Sequence, residues 1–122
     1  MLKKLNYWSL SAGILGMTAL MLAAFATHGI QDPAIAAVLD RSANYQLLHS
    51  LALMIAAQSS GKLATLSKLA FLSGIILFCG AIDLKYLTSI TELGRFAPLG
   101  GVLLMLGWLT LGLSSMAKYR LR

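Results

Sequence analysis

The chain has 122 residues, short enough for one domain, and combines 58% hydrophobic with only 11% charged residues, whereas an ordinary globular protein is about one quarter charged. With a mean hydropathy of +0.79 it carries more apolar surface than a water-soluble fold of this size can hide, so a bilayer is the expected solvent. The net charge of +6 comes from ten Lys and Arg against four Asp and Glu, but the basic residues flank apolar runs without a clustered basic face or interleaved aromatics, which excludes nucleic acid as a partner and suits lipid headgroups.

The spacing predicts a first helix over about 7–27, behind Lys3 and Lys4, long enough to cross a hydrocarbon core of ~30 Å at about 1.5 Å per residue. Ala24-Phe25-Ala26 has the small-x-small form of a signal-peptide cleavage site, but the apolar run exceeds the usual signal core, so the helix is read as retained. Asp32-Pro33 reads as an N-cap followed by proline at the first helical position. An amphipathic stretch over 33–43 then leads into helix 2 at about 44–59. Within helix 2, Ser42, Tyr45, Gln46 and His49 follow the three-and-four spacing that places side chains on one face, and this polar stripe must enter the membrane if the helix crosses.

Charge distribution favours crossing. Four spans put seven of the ten Lys and Arg on one side (Lys3, Lys4, Lys62, Lys68, Lys118, Arg120 and Arg122) and leave Arg41, Lys85 and Arg95 on the other; without helix 2 the bias disappears. Both termini then lie on the cytoplasmic, inner side. Ser59-Ser60-Gly61-Lys62 is an inner turn, helix 3 covers about 66–87, residues 88–96 form an outer loop, and Pro98 sits early in helix 4, about 97–117. Tyr7, Trp8 and Tyr119 stand near span ends, where amphipathic rings belong. The expected architecture is all-α, an integral membrane four-helix bundle.

Small residues recur every four positions, as in Ser9 and Gly13, Ala12 and Gly16, Ala19 and Ala23, Ala70 and Gly74, Ala97 and Gly101. Such pairs let helices approach closely in lipid, where no hydrophobic drive brings them together. Gly29, Gly80 and Gly100-Gly101 mark close approach or helix ends; no strand precedes them and no Lys-Ser/Thr follows, so they are not phosphate cradles. No repeat relates the two helical pairs, which argues against an inverted-repeat transporter.

The groups that could carry chemistry are His28, Tyr45, Gln46, His49 and Asp83, with Arg95 above them in the outer loop. The topology places them in the outer half of the bilayer, and intramembrane His and Asp should turn inward and find partners. A structural hydrogen-bonded network ranks first. Behind it stand proton or quinone handling by His49 and Asp83, and ligation of a haem iron by His28 and His49 or, with Asp83, of a divalent metal, for which two histidines at different depths are a weak pattern. The single Cys79 lies in an apolar run and offers no disulfide framework or CxxC site. It has no neighbouring His and reads as a small core residue.

Four short motifs in order, Ala24-Phe25-Ala26-Thr27-His28-Gly29, Tyr45-Gln46-Leu47-Leu48-His49-Ser50-Leu51-Ala52-Leu53, Gly74-Ile75-Ile76-Leu77-Phe78-Cys79-Gly80 and Pro98-Leu99-Gly100-Gly101, together resemble the YgdD/YwdK-like family of small multi-pass membrane proteins, a domain of unknown function. The resemblance covers about residues 13–113. It implies a four-helix membrane protein whose His-Gly and Tyr-Gln-x-x-His elements are the signature, and it supplies no activity. Asp83 stands where the family pattern has an aromatic such as Tyr, and Thr27 where it has a small apolar residue, so a site on Asp83 would be particular to this chain.

The leading expectation is a non-enzymatic accessory or assembly subunit of the bacterial inner membrane, working without a cofactor and packed against a larger membrane complex or against copies of itself. The rival is a ligand-binding membrane protein with a polar pocket for a quinone, lipid or metal.

Overall fold

The computed structural model describes residues 5–120, with side chains through residue 117. Lys3, Lys4 and Arg122, and the side chains of Lys118 and Arg120, all assigned above to the inner face, lie outside the described residues, as does the side chain of Tyr119. The described chain is helical throughout, comprising α1 (Tyr7–Gly29), α2 (Pro33–Ala57), α3 (Lys62–Ile75), a π turn (Ile76–Gly80), α4 (Ala81–Thr88), a 3-10 segment (Thr91–Phe96) and α5 (Ala97–Arg120). α3, the π turn and α4 follow one another without a break, and the 3-10 segment leads directly into α5, so the architecture is four helical rods. Three of these, Tyr7–Gly29, Lys62–Thr88 and Thr91–Ala117, are long and apolar enough to cross a membrane.

Local chemistry sets the boundaries. The Asn6 side chain caps α1 by accepting from Ser9 N, and Asp32 caps α2 by accepting from Ala34 N at 2.9 Å, with Pro33 at the first position where its missing N–H is harmless. Between α2 and α3 the chain turns at Gly61, whose φ of +105° suits a residue without Cβ. At the end of α4, Ser89 takes the left-handed conformation at φ 62° and stops the helix.

α1 and α2 form an antiparallel hairpin along their full length. Asn6 Nδ2 donates to Ala57 O at 3.0 Å and Gln58 Nε2 to Ser9 Oγ at 3.0 Å at one end, while Gln46 reaches α1 midway. The seam on α1 is made of Ala12, Ala19 and Ala26, all buried, and of Gly16, where a Cβ would stand 3.4 Å from Ser50 Oγ. Gly13, expected in a seam, has nothing within 4 Å of its Cβ position. It lies about 100° round the helix from Ala12, off the face that meets α2.

α3 and α5 form the second close pair. Ser67 Oγ donates to Gly107 O at 3.0 Å, and Gly107 lies against the Phe71 ring. A Cβ on Gly74 would press to 3.0 Å from Leu104 N, and one on Gly100 would overlap Phe78 N and come within 2.7 Å of the Leu77 carbonyl carbon. The first turn of α5 is thus packed backbone to backbone on the π turn. Gly101 is in ordinary contact with Phe78, at 3.7 Å.

Inside the bundle sit small residues with a few larger ones, Leu39, Leu53, Phe71, Ile75, Cys79 and Leu104, whereas Leu10, Met17, Leu51, Leu69, Ile76, Met105 and Leu109 face outward. An apolar exterior over a small-residue interior is stable when the surroundings are hydrocarbon. Lys68, counted among the inner charges, is buried; its Nζ donates to Ser59 O at 2.9 Å, just past the end of α2, and lies 5.9 Å from the Trp8 ring centroid. A cation there complements the negative end of the α2 dipole.

Candidate functional site

The polar stripe of α2 is turned inward, as Ser42, Gln46 and His49 are all buried. Gln46 Nε2 donates to Leu15 O at 2.9 Å and to Thr18 Oγ1 at 2.8 Å, both on α1. A carbonyl can only accept, so the amide orientation is fixed and Oε1 is left as the remaining acceptor. Thr18 in turn donates to Leu15 O at 3.1 Å, closing a three-member junction across the hairpin.

One turn further, His49 Nδ1 lies 2.6 Å from Tyr45 O. The same logic puts the proton on Nδ1 and leaves the lone pair of the neutral ring on Nε2. Around the imidazole stand Tyr45, Phe71 and Trp108, with ring centroids 6.3, 6.1 and 6.0 Å away. Phe71 and Trp108 meet edge to face at 5.5 Å, and Tyr45 meets Phe78 of the π turn in the same way at 5.6 Å. Such pairs hold an aromatic box in shape through the ring quadrupoles.

Asp83 does not join this group. It faces Ser42 of α2, and Cys79, four residues before it, lies beside both. The Ser42 hydroxyl and Asp83 Oδ1 are both buried without a hydrogen-bond partner among the described residues, and Ser42 is a polar neighbour of the Asp83 carboxyl. The π turn places this pair, since residues 76–80 carry the rod from the packing seam of α3 into α4. Wide turns of this kind occur mostly inside α-helices and frequently at functional positions.

The remaining expected residues are dispersed. His28 is exposed near the end of α1, Tyr45 is 43% exposed, and Arg95 lies in the 3-10 segment over the Phe96 ring, 5.6 Å from its centroid. Lys85 likewise stands over Tyr86 at 5.2 Å. The expected single cluster therefore resolves into three places: the Gln46 junction on α1, the His49 box, and the Ser42–Asp83 pair with Cys79. The sequence reading missed Thr18, Phe71 and Trp108 as partners and took Cys79 for packing alone; its spacing of four from Asp83 was the available signal.

Next to the π turn is a groove of about 350 Å³ whose lining includes Leu15, Gln46, Ile76, Gly80, Leu84 and Phe96. It is apolar apart from the Gln46 amide. Among the described residues, no group of three or more His, Cys, Asp and Glu side chains could hold a metal ion.

The profile of a protein family of unknown function, DUF423, matches residues 22–101. The chain belongs to this family. A UPF0382 membrane protein of Staphylococcus aureus (strain bovine RF122 / ET3-1) is 36% identical over 101 residues, covering 78% of this chain and 83% of the relative. Another, from Haemophilus influenzae, is 32% identical over 106 residues, covering 82% and 86%. No solved structure matches the chain. Within this DUF423 protein the matched segment holds Ser42, Gln46, His49, Cys79, Asp83 and Gly100, while Leu15, Thr18, Gly107 and Trp108 fall outside it. Membrane proteins from two bacterial genera and three membrane-length apolar helices together identify an integral membrane protein.

Proposed function

We propose that this DUF423 protein is a non-enzymatic accessory or assembly subunit of the bacterial inner membrane, corresponding to the YgdD/YwdK-like proteins, whose helices cross four times and pack against a larger membrane complex. One observation carries the reading. Most of the buried polar side chains are bonded within the bundle, Gln46 to Leu15 and Thr18, His49 to its own helix, Ser67 to Gly107 and Lys68 to Ser59, with Ser42 and Asp83 Oδ1 the exceptions. Large apolar side chains face outward on every rod, and in lipid such faces associate through shape and small residues. Four crossings are supported by the antiparallel hairpin, since α2 returns to the level at which α1 begins. With both termini inside, Lys62 and Lys68 join the inner positive charges and Arg41, Lys85 and Arg95 lie outside.

The test is gentle extraction from native membranes followed by native mass spectrometry. A stoichiometric larger complex is the expected result. A monomer or homo-oligomer alone, under conditions that keep other membrane complexes whole, would sink the proposal.

The groove beside the π turn favours a second reading, a membrane protein that holds a quinone or lipid there with its polar head at Gln46. Mass spectrometry of organic extracts then finds one such compound in stoichiometric amount, and Gln46→Leu releases it. Only bulk lipid in the extract would count against this reading.

A further inference from the structure

Buried Ser42 departs from what most hydroxyls in the bundle do. Ser11, Thr18, Thr27, Ser50, Thr65, Ser73, Thr88 and Thr110 each donate to a carbonyl three or four residues back on their own helix, the default for a helical hydroxyl in an apolar setting. Ser67 donates across to Gly107. Ser42 is 1% exposed and makes no such bond; its hydroxyl faces the carboxyl of Asp83 and the thiol of Cys79. Asp83 lies inside the Lys62–Thr88 span, with one oxygen buried and unpaired.

Neighbouring cations are engaged elsewhere. Lys85, on the same helix, stands over Tyr86, and Arg95 of the adjoining 3-10 segment stands over Phe96. Asp40, Arg41 and Glu92, the other charged groups on the elements packed against α4, are exposed. The titratable group beside Asp83 is the thiol of Cys79. A bare carboxylate facing one hydroxyl in hydrocarbon is unfavourable, because burying a charge without a counter-charge costs several kcal/mol.

We propose that Ser42 and Asp83 form a proton-binding site within the membrane, in which Asp83 is held as the neutral carboxylic acid and shares a hydrogen bond with the Ser42 hydroxyl. The proton comes from water at the α4 end of the rod, about one and a half turns away at Thr88. The Ser42 hydroxyl can hydrogen-bond the carboxyl in either form, but only the added proton removes the uncompensated charge. An alkali cation needs a fuller shell of oxygens than one carboxyl and one hydroxyl provide, and a divalent metal needs more ligands still. The site is separate from the outward faces proposed for partner binding, so either idea can fail without the other.

Infrared spectroscopy of the full chain in lipid nanodiscs at neutral pH tests this. The expected spectrum contains the C=O stretch of a protonated carboxylic acid, which disappears in Asp83→Asn and moves to higher frequency in Ser42→Ala as its hydrogen bond is lost. A spectrum without a band sensitive to Asp83→Asn overturns the proposal, and so does a band removed by sodium at constant pH and ionic strength, which would assign an alkali ion instead. Labelling of the unmutated protein with dicyclohexylcarbodiimide needs no variant to fold. The proposal requires an adduct on Asp83 in preference to Asp32, Asp40 and Glu92; no adduct there also overturns it.

Discussion

Gln46 and His49 are one turn apart on the same helix face, yet they bond to different things, and the reason is which atoms each can reach. The Gln46 amide is long enough to cross to α1, where Leu15 O and Thr18 Oγ1 accept its two hydrogens. The imidazole bonds back to Tyr45 O and fills the space between Phe71 and Trp108. Replacing Gln46 with Leu keeps the volume and removes both bonds. Interhelical hydrogen bonds in membranes contribute about 1 kcal/mol, so Gln46→Leu should lower the unfolding free energy in mixed micelles by about that amount, with Thr18 still free to satisfy Leu15. A loss above about 3 kcal/mol would show that packing, not bonding, holds Gln46 in place. Cys79 is fully buried. It should resist maleimide in the folded protein and react once the bundle is denatured; rapid labelling of the native protein would contradict the packing of the π turn.

Helix contacts are set by where Cβ atoms are missing. Gly100 lies against the Leu77–Phe78 backbone with no room for a methyl group, while Gly13 faces open space. Gly100→Ala must therefore push α5 off the π turn, a change in the overpacking range of about 1–3 kcal/mol. Gly13→Ala should be neutral or stabilising by up to about 1 kcal/mol through helix propensity. Thermal unfolding of the two variants side by side separates them, and equal effects would refute the assigned seams. This contrast also shows what the sequence could reveal. A spacing of four marks small residues but not the side of the helix that meets a neighbour, so Gly13 and Gly16 looked alike until α2 was in place. The four rods were legible because apolar length and the Asp32-Pro33 start are local signals. Neither the π turn nor the 3-10 segment was legible, since the first is packed against α5 and the second against α4. The polar groups were recognisable one by one, but their grouping depended on that same packing and was not.

At the level of the complete bundle, polarity is inverted relative to a soluble protein: Ala, Ser, Gln and His inside, Leu, Ile and Met outside. α2 falls short of the apolar criterion that the other three rods meet, because its polar stripe is shielded by α1 and α3 and needs no hydrocarbon character of its own. Single cysteines at Asp40 and Lys62, both exposed, test whether it crosses. With native Cys79 buried, each introduced thiol reports alone. An impermeant reagent applied to intact cells should label Asp40→Cys only, and Lys62→Cys only after permeabilisation; labelling of both from one side would mean that α2 does not traverse the membrane.

The π turn amounts to one inserted amino acid within an otherwise regular rod. Each helical position rotates the next by about 100°, and the wide turn absorbs that extra position, so deleting one residue between Ile76 and Gly80 would relax the turn into plain α-helix while Asp83 stays on the side of the rod that meets Ser42. A DUF423 chain one codon shorter would thus keep its carboxyl and hydroxyl together but lose the wide turn that Gly100 rests on.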